Sequence, residues 1–207
     1  MSPTYGALKR RLRYAKYRLL GYSTSPPSCE DWDREYAAGA WQRLGKLNEL
    51  AHYSAILGYC RFFHSRSILD VCCGDGVMTR MLQTVRYEAY HGIDVSAHAI
   101  AAAESRYGNA ATRFFRAEAE AFRPERCFDT IIFNECLYYF EKPQALVRRY
   151  WEYVEPGGRM IISAFVSGQE RALLRLIETE ATMLDRTTVA NRNGQRWIVS
   201  VFGERAV

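Results

Sequence analysis

The chain has 207 residues, 48% hydrophobic and 14% aromatic, with 28 Lys and Arg against 23 Asp and Glu, a formal net charge of +5. This suits one ordinary α/β domain with a full core and excludes a disordered chain. No apolar run approaches the roughly 20 residues of a membrane span, and no secretory signal opens the chain, so stable membrane insertion is not expected. Residues 1–27 hold Lys9, Arg10, Arg11, Arg13, Lys16 and Arg18 and no acid. Taking those six from the 28 basic residues leaves 22 against 23 acidic ones, so the body is neutral. A fold built for nucleic acid carries its charge on the body, and no nucleic-acid partner is expected. The six cysteines (29, 60, 72, 73, 127 and 136) are scattered. Adjacent Cys72 and Cys73 have neither zinc-knuckle nor CxxC spacing, which predicts reduced thiols, a cytoplasmic location and no structural metal.

Within residues 4–22, Tyr5, Leu8, Leu12, Ala15 and Leu19 fall at helical spacing with basic residues between them. A basic amphipathic helix can meet a membrane surface, RNA or an acidic partner. This stripe is short and lacks Trp and Phe, which favours packing on the domain, on a homodimer mate or on a docking partner. Ser23 to Ser28 read as a linker, so residues 1–28 form a helix and linker and 29–207 the main domain. Trp32-Asp33-Arg34-Glu35-Tyr36-Ala37-Ala38-Gly39-Ala40-Trp41 comes next, then a long helix from Leu44 to Phe63. His52 lies in that helix and reads as a structural residue.

The organising stretch is Ile68-Leu69-Asp70-Val71-Cys72-Cys73-Gly74-Asp75-Gly76. An apolar run ends at Asp70 and enters a turn with two glycines, residues suited to positive φ or close backbone approach. Val77, Met78, Met81, Leu82 and Val85 then follow helical spacing, giving strand, turn and helix, the first half of a βαβ unit. Asp94 ends the next strand, residues 88–94. It stands about 20 positions on, where nucleotide-binding folds place an acid for ribose hydroxyls. Ser96 caps a helix over 97–107 that closes near Gly108.

Residues 112–116 read as a third strand leading into Ala117-Glu118-Ala119-Glu120. Residues 128–133 are apolar on both faces, as a central parallel strand requires. They run into Asn134-Glu135-Cys136-Leu137-Tyr138-Tyr139, and ligands of open α/β sheets bind beyond the carboxyl ends of strands. Pro143 starts a helix predicted through Val154, and Glu155-Pro156-Gly157-Gly158 turns into a strand over 159–165. A helix is expected over 172–182, then a hairpin pairing 187–190 with 195–202 around Asn193-Gly194.

Asp70, Gly74, Gly76 and Asp94 together resemble the first two motifs of class I S-adenosylmethionine (SAM) dependent methyltransferases, whose usual turn is Asp-x-Gly-x-Gly-x-Gly. Cys72 replaces the first glycine, which suggests a slightly less open turn. Trp32 to Trp41 is similar to the N-terminal lid of small members, and the Pro-Gly-Gly turn is a family habit. The resemblance spans about residues 31–207. It implies an α/β, Rossmann-like seven-stranded sheet, mostly parallel with a C-terminal antiparallel hairpin strand, and helices on both faces. It implies SAM held by Asp70, the backbone around Cys72, Gly74, Asp75 and Gly76, and by Asp94 and Val95. Ala117 and Glu118 would serve adenine, with Glu120 a rival, and the Asn134 carbonyl would serve the methionine moiety. Tyr36 and Trp41 would close over the methionine end, where an aromatic face favours a sulfonium. Their alternative role is to anchor a crossing segment to the core.

The order Asn-Glu-x-Leu-Tyr-Tyr at 134–139 is similar to small-molecule enzymes such as the nodulation N-methyltransferases. It implies Glu135 as the residue that orients or deprotonates the acceptor, and Tyr138 and Tyr139 as walls of its pocket, though either tyrosine could be helix-start packing. Amino-methylating enzymes of nucleobases or glutamine usually have Asn/Asp-Pro-Pro-Tyr/Phe there, a second argument against nucleic acid. The implied reaction moves a methyl group to an amine or hydroxyl of a sugar, amino sugar or other small metabolite. The alternatives are a SAM-binding subunit without chemistry, an aminopropyl transferase and a nucleotide oxidoreductase. The aminopropyl transferases usually have further acids near the acceptor amine, and the oxidoreductases lack the final hairpin.

Overall fold

A computed structural model describes residues 27–168 and 170–204. The predicted helix over 4–22, and with it the expected dimer or docking role, lies outside the described residues. Six α-helices are present among the described residues: α1 (Cys29–Ala37), α2 (Leu50–Phe62), α3 (Val77–Leu82), α4 (Ala97–Tyr107), α5 (Pro143–Trp151) and α6 (Glu170–Glu178). Seven strands, β1 (Ser67–Val71), β2 (Ala89–Asp94), β3 (Thr112–Arg116), β4 (Phe128–Asn134), β5 (Val154–Phe165), β6 (Thr182–Ala190) and β7 (Arg196–Gly203), form one sheet in the order β3-β2-β1-β4-β5-β7-β6. The first five strands pair in parallel, and β7 lies antiparallel between β5 and β6. This is the predicted fold class. No described helix is long and apolar enough to cross a membrane.

Successive side chains of a strand point to opposite faces, and β4 shows the result. Ile131 and Phe133 join Val147, Tyr150 and Ile177 in one core, while Ile132 joins Ile56, Leu82 and Ala103 in another. Helices α5 and α6 therefore cover one face and α2, α3 and α4 the other. Each fully buried aliphatic contributes about 1.5–3 kcal/mol relative to exposure. Both faces being covered, the exits lie at the strand ends. The sheet order turns outward in two directions from β1 and β4, and that switch point opens a crevice at their carboxyl ends.

Several predicted boundaries move. The helix expected from Leu44 begins as two short helical turns, Gln42–Gly45 and Leu47–Glu49, before α2 proper. Helix α5 ends at Trp151, and β5 starts at Val154. The Pro-Gly-Gly residues sit inside the strand as an irregularity, with Phe128 facing Val154 and Thr130 facing Arg159, and Gly157 at φ 74° absorbs the extra chain. Helix α6 starts earlier than predicted and ends at Glu178, and Thr182 already belongs to β6. Residues 182–186 are all exposed, so this edge strand has no apolar alternation to reveal it, and pairing with β7 defines it.

Candidate active site

Strand β1 brings Asp70 to the carboxyl edge, and three left-handed residues follow: Cys72 at φ 63°, Gly74 at φ 57° and Gly76 at φ 84°. The first explains the glycine usual at position 72, because a Cβ in this region costs roughly 1–2 kcal/mol. Cys72→Gly should therefore be more stable than Cys72→Ala by about that amount, both having lost the thiol, in denaturant unfolding. Equal stabilities would show that the turn carries no strain. Two bonds tie the turn to β2: Cys73 N–H donates to the Ile93 carbonyl at 2.9 Å and Gly74 N–H to Asp94 Oδ2 at 3.0 Å. At Gly74 a Cβ would collide with the Tyr36 hydroxyl, so glycine leaves room for that side chain. A Cβ on Gly76 would lie 2.7 Å from the Tyr107 ring.

Every residue expected to touch cofactor or acceptor lines one cavity of about 440 Å³, except Gly76. Gly76 is absent from that wall and instead lets α4 pack close to the turn. The volume falls within the range of small-molecule sites. Asp94, 8% exposed, accepts from Ser96 N–H at 2.9 Å through Oδ1, besides its bond from Gly74. Burial raises its pKa to about 6 against those bonds. Asp70 is 1% exposed; its Oδ2 accepts from the Tyr90 hydroxyl at 2.6 Å, while its Oδ1 has no partner. Burial, with help from the charge of Asp94 and against the Tyr90 bond, raises Asp70 to about 7.

Val95, Ala117, Glu118 and Glu120 continue the wall, and the Cys29 thiol donates to Glu118 at 3.6 Å. Both candidate acids for the adenine end are therefore present. Asp75 pairs with Arg106 at 2.9 Å. The segment Trp32 to Trp41 is anchored through α1, where Asp33 accepts from Ser96 Oγ at 2.6 Å and His98 N–H at 3.0 Å, at the start of α4. Above the cavity Trp32 meets Tyr139 edge-on at 4.9 Å, and Trp41 stands 5.5 Å from Trp32 and 6.2 Å from Tyr36.

Glu135 follows β4 in a left-handed conformation, φ 59°, uncommon for a residue with a side chain. Such strain persists where the surroundings over-determine it, often at functional sites. Its Oε1 accepts from Ser163 Oγ at 2.9 Å and its Oε2 from the Tyr138 hydroxyl at 3.2 Å. Burial, with Glu49 adding, raises its pKa to about 7, and the two hydroxyl bonds oppose the rise. The Ser163 hydroxyl also lies 2.7 Å from Asn134 Oδ1, so its single proton serves one acid or one amide at a time. From α2, the Tyr53 ring packs 4.2 Å from the His52 ring at the cavity wall.

The sequence reading misses Glu49, Tyr53 and Ser163 and takes His52 as structural, yet Glu49, His52 and Tyr53 all line the cavity. Their spacing of three and four puts them on one helix face, which was a usable signal. Ser163 is found only through the register that sets it beside Asn134.

The buried Asp70 and Asp94 and the half-buried Glu135 make a stability prediction. Their folded pKa values, about 7, 6 and 7, lie above those of the unfolded chain, roughly 3.9–4.3. The stability they contribute is complete below the unfolded values and is lost as pH rises through 6 to 7. Asp70→Asn should gain melting temperature relative to the natural chain as pH rises from 5 to 8. A difference constant with pH would mean Asp70 has an ordinary pKa.

The unpartnered Asp70 oxygen, the Gly74 gap under Tyr36 and the acid at the end of β2 fit an adenosyl nucleotide. With the antiparallel β7, they define a Rossmann-like methyltransferase architecture. A methyltransferase domain family model matches residues 32–200, and the chain belongs to that family. An uncharacterised methyltransferase of Mycobacterium tuberculosis is 30% identical over 122 residues, covering 58% of this chain and 61% of that protein. The chain thus spans about three fifths of the length of the mycobacterial relatives it matches. A ubiquinone biosynthesis O-methyltransferase of Pseudomonas putida is 26% identical over 186 residues, 86% of this chain and 74% of that one. Among solved structures, the N-methyltransferase NodS from Bradyrhizobium japonicum, in complex with S-adenosyl-L-homocysteine (SAH), superposes with a TM-score of 0.69. It is 18% identical, covers 80% of this chain and 92% of its own, and supports the fold.

Proposed function

We propose that this chain transfers a methyl group from SAM to an amine or hydroxyl of a small molecule. The observation that carries the reading is that one cavity joins the Asp94–Gly74 turn to Glu135, Tyr138 and Tyr139. When bound, SAM supplies an electrophilic methyl group on a sulfonium. Asp94 accepts the ribose hydroxyls, and Asp70, Asp75, Val95 and the backbone of Cys72 to Gly74 hold the rest of that end. Glu118 accepts from the adenine amine beside Ala117, the Asn134 carbonyl faces the methionine moiety, and Tyr36 and Trp41 cover it.

At the acceptor, Glu135 takes a proton from the attacking nitrogen or oxygen, a task suited to a group that titrates near neutrality. The Ser163 and Tyr138 hydroxyls hold its carboxylate in place. Tyr138 and Tyr139 bound the acceptor, and the aromatic lid excludes water. Holding a nucleophile in line is worth roughly 7–11 kcal/mol, so positioning is the larger part of the work. The relatives include both an O-methyltransferase and an N-methyltransferase, which supports an acceptor atom of either kind.

Calorimetry with SAM, SAH and NAD in parallel tests the reading. Micromolar binding of the two adenosyl ligands with none of NAD is expected, followed by SAH release with an acceptor panel. Binding of NAD alone would overturn it.

A further inference from the structure

A second hollow, of about 410 Å³, lies between the C-terminal ends of α2 and α3. Its wall residues precede β1 and β2, so it opens at the amino ends of strands whose carboxyl ends hold Asp70 and Asp94. Arg61, His64, Arg66, Thr84 and Arg86 stand exposed around it, and no described Asp or Glu lines it. The neighbouring acids are engaged elsewhere. Glu88 pairs with Arg66 at 3.7 Å, both side chains being well exposed, and such a pair is worth little. Asp129 Oδ2 accepts from the backbone N–H groups of Arg66 and Ser67 at 2.8 and 3.1 Å.

Basic residues near a helix C-terminus commonly bond its last carbonyls and offset its dipole. Here the turns supply those bonds themselves. The carbonyls of Tyr59, Cys60 and Arg61 accept from Phe63, Ser65 and His64 N–H at 3.0, 2.9 and 3.2 Å, and that of Leu82 from Val85 N–H at 2.8 Å. Thr84 Oγ1 donates to the Met81 carbonyl at 3.4 Å. The guanidinium groups of Arg61 and Arg86 and the His64 ring have no hydrogen bond or ion pair to a described residue. Arg106 and Arg148, by contrast, each hold a carboxylate, of Asp75 and of Glu180. One cation per helix end is explained by the dipole; three guanidiniums around one hollow repel each other until an anion enters.

We propose that this hollow is a second ligand site, which takes the phosphate group of a small phosphomonoester. Arg61 and Arg86 supply planar forks that match phosphate oxygens two at a time. The His64 ring adds an N–H donor, and Arg66 joins by exchanging Glu88 for the phosphate. The volume falls within the range of small-molecule sites and leaves room for the group that carries the phosphate. The site does not depend on the methyl-transfer reading, because it shares no residue with the first cavity.

Calorimetry of the full chain at constant ionic strength tests this with glycerol phosphate, inorganic phosphate and acetate. Glycerol phosphate should bind with a Kd below about 1 mM, inorganic phosphate more weakly and acetate not measurably. Saturating SAH should leave the phosphate affinity within about twofold, since the two sites are separate. Arg61→Gln and Arg86→Gln should each weaken binding about tenfold, the loss of a charge-assisted bond, in proteins that circular dichroism shows to be folded. Arg61→Lys and Arg86→Lys should recover part of the affinity, because they keep the charge without the fork. Glu88→Gln should tighten binding by releasing Arg66. Glutamine variants that bind like the natural chain, or displacement of the phosphate by SAH, would place the anion elsewhere and overturn the proposal. Acetate binding as tightly as the ester would overturn it too, by making the hollow a general basic surface. Equal affinity for inorganic phosphate would overturn the choice of an ester and make the free ion the ligand.

Discussion

Asp94→Ala should weaken SAM binding by about 2–4 kcal/mol, or roughly 30- to 900-fold, because a buried charged acceptor of the ribose hydroxyls is removed. The structure sharpens the expectation. Asp94 also accepts from Gly74 N–H and Ser96 N–H, so alanine strands two backbone donors and loosens the glycine turn as well as deleting the ribose contact. Asp94→Asn keeps an oxygen for one of those donors and should fall between the two in affinity and in melting temperature. SAM affinity of the natural chain should rise with pH through about 6, since the charged carboxylate is the form that accepts both hydroxyls. Calorimetry at pH 5 and pH 8 with circular dichroism on each variant measures all of this. Unchanged affinity in a folded Asp94→Ala protein would sink the assignment of the β2 end.

Glu135→Gln should leave SAM affinity intact and lower kcat by about 10²- to 10⁴-fold, the usual contribution of a positioned acid–base group. The pH profile distinguishes a base from a mere contact. For the natural chain kcat/KM should rise through about pH 7 as Glu135 loses its proton, and for the Gln variant that limb should disappear. Tyr138→Phe removes a donor that stabilises the carboxylate, so the midpoint should move upward. If Glu135→Gln abolished SAM binding instead, Glu135 would be a cofactor residue and the acceptor site would have to be redrawn.

Several parts of this protein could be read directly because their signals are local. The turn from Asp70 to Gly76 needs particular backbone conformations within a few residues, and those select glycine almost regardless of surroundings. The departure at Cys72 was visible in the sequence, but its consequence, a side chain held at φ 63°, was not. Asp94 was found by its distance along the chain, since the length of a βα unit fixes how far on the next strand ends. The both-face apolar run of β4 announced a central parallel strand, and Asn-Gly announced the terminal hairpin.

Other features depend on which elements become neighbours. Residues 182–186 join strand β6 only because β7 offers an edge, and no apolar alternation in them reports it. Ser163 reaches both Asn134 and Glu135 because β5 pairs with β4 in one register. Gly76, by motif a cofactor residue, packs against Tyr107. His52 is indistinguishable in the sequence from any helical histidine, and only the fold shows that it is fully buried. Burial beside Trp197, from the far end of the chain, leaves both ring nitrogens unpaired at the wall of the cavity. Local spacing determined the fold and the glycine turn with its facing Asp94, because the turn's backbone conformations and the length of the βα unit are set by nearby residues. The tertiary structure decided the surroundings of Glu135, because they are assembled from α2, β4 and β5, whose side chains meet only after the sheet has formed.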